Sequence, residues 1–192
     1  MAGRPKVDDK ILKTALGLFY RDGFQAVGID RIIDEAGVAG MSVYRNFGSK
    51  EGLIDAVLKR RDADWMSWLA NRVEGSGAAG SQRLLALFDA LGEWFADPGF
   101  RGCMFINAAA EFGADDAIAG RWATDHKTAL KGYVRELVMA AALPDGLSDM
   151  LFLLIEGAIV TAFLKTAREP HRIARRAAEV LMSTVTSHGD WP

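Results

Sequence analysis

The chain has 192 residues, 50% of them hydrophobic and 25% charged, with a formal net charge of −2. That composition is typical of globular proteins of one or two small domains and excludes disordered and fibrous classes. Its one cysteine, Cys103, excludes both a disulfide framework and a cysteine-rich zinc site.

Charge is unevenly spread. Residues 1–61 hold 11 Lys and Arg against 8 Asp and Glu, whereas residues 62–192 hold 12 against 17. An anionic partner is therefore expected at the N-terminal third. The charged start of the chain predicts no secretory signal. The longest apolar stretch, Met150 to Leu164, is interrupted by Glu156 and falls short of a ~20-residue membrane span. A cytoplasmic protein without a membrane partner is expected.

Apolar residues recur at three and four rather than at two, which predicts an all-α chain of about nine helices. The first runs from Asp8 to Arg21 and ends at Gly23; Ile11, Ala15, Leu18 and Phe19 form its apolar face. The second covers Ile29 to Ala36, ends at Gly37, and carries a stripe of Ile29, Ile32, Ile33 and Ala36. A short third helix spans Gly40 to Phe47, with Val43 and Phe47 directed at the core and Met41, Ser42, Tyr44, Arg45 and Asn46 outward. Ser49 is placed to cap a fourth helix running to about Arg72, with Glu51 in its first turn.

Gly75-Ser76-Gly77-Ala78-Ala79-Gly80 matches G-x-G-x-x-G, but the preceding residues have helical spacing, so it reads as a linker and not as a dinucleotide site. Further helices are expected over Gln82 to Ala96, Gly102 to Phe112, Asp115 to Leu143, Leu147 to Ala167 and Pro170 to Thr186. Pro144 and Pro170 mark two of the boundaries.

Two helices joined by a tight glycine turn, the second displaying polar side chains, form the helix-turn-helix pattern. Ser, Asn and Arg on such a helix reach base edges, and Met can touch a thymine methyl. Tyr44, Arg45 and Lys50 are suited to phosphates, as are the free N–H groups before Ile29, while Arg4 and Lys6 form a basic arm. From the turn alone, an ordinary packed helix pair is the other reading.

The stretch Ile11-Leu12, Ala15, Phe19, Gly23-Phe24, Ile29, Ile32, Ala36-Gly37-Val38, Val43-Tyr44, Phe47, Ser49-Lys50-Glu51 and Leu53 resembles the N-terminal domain of the TetR family of transcriptional regulators. The resemblance implies a helix-turn-helix domain over 1–48, a connecting helix over 49–74, and a ligand-binding and dimerisation domain over 75–192. It implies a homodimeric, ligand-responsive repressor that reads a palindromic operator on double-stranded DNA and is not an enzyme. The DNA-binding residues expected are Arg4, Lys6, Ile29, Arg31, Gly40, Met41, Ser42, Tyr44, Arg45, Asn46 and Lys50. Ala39 and Gly28 depart from the family's capping Ser or Thr, and Asn46 from a common aromatic.

The three histidines, His126, His171 and His188, are scattered, so no metal site or cofactor is expected and no catalytic residue is assigned. His126 reads as a surface residue. Cys103, Asn107 and Glu111 make a polar stripe on an apolar segment. It faces either solvent or a cavity, where Trp65, Trp68, Phe88, Trp94, Phe95, Phe105 and Trp122 would supply walls for a small, partly apolar effector. Glu156 faces the pocket, an arginine or the edge of an interface.

Leu151, Leu154, Ile155, Ala158, Ile159 and Ala162 on one helix, with Ile173, Ala177, Val180, Leu181 and Thr184 on the next, predict a four-helix dimer interface or one intramolecular core. Two alternatives accompany this reading. One is a regulator of the same fold answering a protein partner or Cys103 oxidation; the other is a helical enzyme using the C-terminal cavity.

Overall fold

A computed structural model describes residues 7–187 of the chain. Within them lie nine α-helices and no strands: α1 Val7–Asp22, α2 Ile29–Ala36, α3 Met41–Phe47, α4 Lys50–Gly75, α5 Gln82–Phe95, α6 Met104–Phe112, α7 Ala119–Ala140, α8 Leu147–Leu164 and α9 Pro170–Ser187. Arg4, Lys6 and His188 lie outside the described residues.

Helix ends follow local chemistry. Gly37 takes φ 58° and ψ 49°, and the N–H groups of Gly37 and Val38 donate back to the Asp34 and Ile33 carbonyls, closing α2. Ser49 Oγ accepts from the Gly52 N–H at 3.1 Å, capping α4 as expected. The Glu51 carboxyl is held below its ordinary range by its own backbone N–H and then by the Ser49 hydroxyl. The seventh helix starts at Ala119 and not at Asp115, because Asp116 Oδ1 accepts from the N–H groups of Ile118 (2.9 Å) and Ala119 (2.7 Å) and caps it there. The eighth ends at Leu164, where Lys165 turns left-handed at φ 55°.

The chain packs as two units, neither continuous in sequence. Among the described residues the first comprises 7–64 and 103–126, and the second 65–102 and 127–187, so α4 and α7 each contribute to both. In the first, α1 packs on α2 and α3 around Ile11, Leu18, Phe19, Phe24, Ile32 and Val43, all buried. In the second, α5, α8 and α9 pack mutually around Leu84, Leu87, Phe88, Leu91, Leu151 and Ile155. The α8 helix is long and apolar enough to cross a membrane by composition, but a third of it is buried and its Glu156 pairs with Lys127 at 2.8 Å.

Candidate nucleic-acid interface

The turn Gly37–Gly40 delivers α3 with Val43 fully buried and Phe47 half-buried, which leaves its other face to solvent. Met41 is 70% exposed, and Tyr44, Arg45 and Asn46 are exposed beside it. Gly40 precedes them in right-handed helical geometry without any side-chain cap. At the start of α2, Gly28 is extended (φ −81°, ψ 158°) and again gives no side-chain cap, so the first N–H groups of α2 have no side-chain acceptor there. Ile29 is half-buried next to it.

The expectation that Ser42 faces outward is corrected. Ser42 is buried, with 4% of its surface exposed. It sits beside Val43 on the inner arc of a seven-residue helix, and the Asn46 side-chain amide donates to its carbonyl at 2.7 Å, covering that turn. Arg31 is exposed but committed: its guanidinium donates to Asp22 at 2.7 Å and to Glu35 at 3.1 Å. Lys50 Nζ donates to the Gln25 carbonyl at 3.3 Å, which anchors the ammonium at the rim of the α1–α2 turn.

The residues expected to form an effector pocket divide between the units. Trp65, Trp68, Phe88, Trp94, Phe95 and Glu156 fall in the second, and Cys103, Phe105, Asn107, Glu111 and Trp122 in the first. In the second unit the indoles pack on one another: Trp65 to Trp68 at 6.2 Å, Trp65 to Trp94 at 5.2 Å, and Trp94 to Phe100 at 4.9 Å between ring centroids. Phe88 is buried in the core. A cleft of about 430 Å³ in this unit is lined instead by Ser81, Gln82, Leu85, Ala141, Leu143, Glu179, Met182 and Ser183.

In the first unit each of these groups has a structural engagement. Cys103 is buried where α6 begins, and Asn107 is half-buried on its first turn. The Trp122 indole N–H donates to Asp55 at 2.7 Å, and the Arg121 guanidinium meets the same oxygen at 2.6 Å. The Phe105 ring stacks on His126 at 4.0 Å. His126 is not a surface residue: it is 3% exposed, with Nδ1 2.7 Å from Asp62. Glu111 turns away from any cavity role to the α1–α2 turn, where its carboxylate accepts from the backbone N–H groups of Phe24 and Gln25.

Sequence reasoning missed Asp55, Asp62 and Gln25. A signal existed for the first two, since seven residues separate them on α4 and four separate Trp122 from His126 on α7, giving each pair one helix face.

The expected interface residues also sort by face. Leu151, Ile155, Ala158 and Ile159 are buried inside the protomer, because α8 is apolar on two sides and packs this one on α5 and α9. Its other side exposes Leu153, Val160 and Leu164, while α9 exposes Ile173 and Val180. Leu154, Ala162, Ala177, Leu181 and Thr184 are half-buried. A groove of about 190 Å³ runs between Leu153, Leu154, Gly157, Thr161, Ile173 and Ala177.

Residues 11–57 match the family described as bacterial regulatory proteins, tetR family. The chain is 29% identical over 106 residues to the HTH-type transcriptional repressor BdcR of Escherichia coli K12, covering 54% of each. It is 38% identical over 60 residues to the HTH-type transcriptional repressor ComR of the same organism, covering 30% of this chain and 29% of ComR. The chain thus spans about half the length, or less, of the curated relatives it matches. Among solved structures it resembles SCO4454, a TetR-family transcriptional regulator from Streptomyces coelicolor, with TM-score 0.84 and 29% identity over 93% of this chain and 95% of that one. A TetR transcriptional regulator from Legionella pneumophila shares the fold at TM-score 0.79 and 18% identity, over 95% of this chain and all of that one.

Proposed function

We propose, from the match of residues 11–57 to the tetR family of bacterial regulatory proteins, that this chain is a ligand-responsive transcriptional repressor of that family, a cytoplasmic homodimer that reads a palindromic operator. The observation that carries the reading is the outer face of α3. Exposed Met41, Tyr44, Arg45 and Asn46 are mounted on buried Val43, beside Lys50 and the uncapped start of α2. Met41 and Asn46 are suited to base edges, whereas Tyr44, Arg45 and Lys50 are suited to phosphates.

The exposed apolar stripes of α8 and α9 support pairing with a second copy, which would bury Leu153 (68% exposed) and Ile173 (60% exposed) in a four-helix arrangement. Two reading heads related by a two-fold axis would then meet half-sites about one helical turn apart. The cleft of the second unit, where Leu85, Leu143 and Met182 stand beside Ser81, Gln82 and Glu179, supports a small, partly apolar effector. Such an effector releases DNA only if it binds the two states of the protein unequally.

Selection of duplexes from a random DNA pool by the purified protein, with light scattering on the same sample, tests this reading. An enriched palindrome and a dimer mass are the expected results. Absence of enrichment by a folded dimer overturns it.

A further inference from the structure

The α1–α2 turn is not satisfied by its own neighbourhood. The N–H groups of Phe24 and Gln25 donate at 3.0 Å and 2.8 Å to the two carboxylate oxygens of Glu111, 87 residues further along the chain for Phe24, at the end of α6. The Gln25 side-chain amide donates in return to the Glu111 carbonyl. The next residue of α6, Phe112, sets its ring edge on Phe24 at 6.0 Å, and Phe24 stacks on Phe19 at 5.1 Å. Gly23 passes this carboxylate at φ +91°, and a Cβ there would lie 3.1 Å from its oxygen. The last two residues of α6 therefore hold both the backbone and the aromatic anchor of the turn.

What the turn carries gives this clamp its consequence. The Gln25 carbonyl accepts from Lys50 Nζ at 3.3 Å, and three residues beyond Gln25 the extended Gly28 begins α2 with its uncapped N–H groups. Both are phosphate-binding elements in the function proposed above, and this inference rests on that reading. We infer that Glu111 is a positioning residue for DNA binding: its carboxylate on the Phe24 and Gln25 amides sets the placement of Lys50 and of the α2 N-terminus against the phosphates. A carboxylate is required because it presents two acceptors and no donor. A glutamine offers one oxygen and turns an amide N–H toward one of the two backbone donors.

The test compares wild type and Glu111→Gln by amide hydrogen exchange and by binding to the selected duplex across a salt series. Exchange at Phe24 and Gln25 is expected to rise about tenfold, because their acceptor is impaired. DNA affinity is expected to fall about tenfold, and the slope of log K against log salt to shrink by about 1–2, at ~0.9 for each phosphate that is no longer neutralised. In a Lys50→Ala background the same change should cost less, because one element it positions is already gone.

A structural role alone would lower the melting temperature and leave the slope unchanged, and that result overturns the inference. If Glu111→Gln does not fold, Gln25→Ala removes the reciprocal bond and should shrink the slope in the same direction; an unchanged slope there overturns it too. Failure of wild type to bind any duplex overturns the proposed function instead, and is read before either variant.

Discussion

His126 Nδ1 lies 2.7 Å from Asp62 Oδ1, and the imidazole is stacked against Phe105 at a centroid distance of 4.0 Å and an interplanar angle of 19°. One turn earlier on α7, Trp122 and Arg121 converge on Asp55, one heptad before Asp62 on α4. The first half of α4, which follows the reading head directly, is thereby tied to α7 at two levels. His126→Leu keeps the apolar contact with Phe105 but strands the half-buried Asp62 carboxylate. It should cost ~1–3 kcal/mol in urea unfolding. Asp62→Asn, which retains an acceptor oxygen for the ring, should cost less, and equal losses would contradict this account.

Gly52 determines whether α3 can sit against α4. A Cβ at this position would be 2.0 Å from the Phe47 carbonyl oxygen, a backbone atom that no side-chain rotation can move aside. Gly52→Ala should destabilise by ~1–3 kcal/mol or more and weaken DNA binding in parallel. Gly28 is the opposite case: nothing lies within 4 Å of its missing Cβ, and its φ of −81° suits any residue. Gly28→Ser should cap α2 and raise stability by a few tenths of a kcal/mol. Paired thermal melts of the two variants check both signs.

Arg31 and Arg45 are both exposed, but their electrostatic settings differ. Asp22 and Glu35 already neutralise Arg31, whereas no ion pair among the described residues involves Arg45. Arg45→Ala should weaken binding to the selected duplex and reduce its salt slope by about 0.9. Arg31→Ala should do much less. Asp22→Asn should strengthen binding by freeing part of the Arg31 charge. Fluorescence anisotropy over a salt series reads all three, and a larger loss for Arg31→Ala than for Arg45→Ala would reverse the assignment.

His171 gives the second unit an acid-sensitive point. Its ring packs on Phe95 at 6.3 Å and occupies the space above Gly92, 2.5 Å from where a Cβ would be. Burial pushes the imidazole below its ordinary 6.5, and Arg172 adds to this; Glu169 and Asp89 act the other way. The unfolded chain therefore takes up the proton first, so stability is retained above pH ~6.5 and lost as pH falls from there to the lower folded value. His171→Phe removes this group's titration and should flatten that part of the stability–pH curve. Melting temperatures measured from pH 7.5 to 5 check it, and an unchanged slope would assign the acid sensitivity elsewhere.

The reading head was legible in sequence because its determinants are local. Ile29, Ile32, Ile33 and Ala36 at helical spacing, Gly37 for a left-handed turn, and Ser49 for a cap each act within a few residues, and the structure places α2, the turn and the start of α4 where these signals put them. A helical wheel also exposed the apolar faces of α8 and α9, but could not say which one the protomer keeps for itself.

Tertiary structure alone decided the destinations of the polar groups. Glu111 and the amides it holds are more than 80 residues apart, at 87 and 86 positions, and His126 and Asp62 are 64 apart. Periodicity assigns a side chain to a face, and the face becomes buried or exposed only when a distant helix closes over it. His126 was misplaced for that reason. The Asp62 and Phe105 side chains that cover and bond it are fixed by packing that no local propensity encodes.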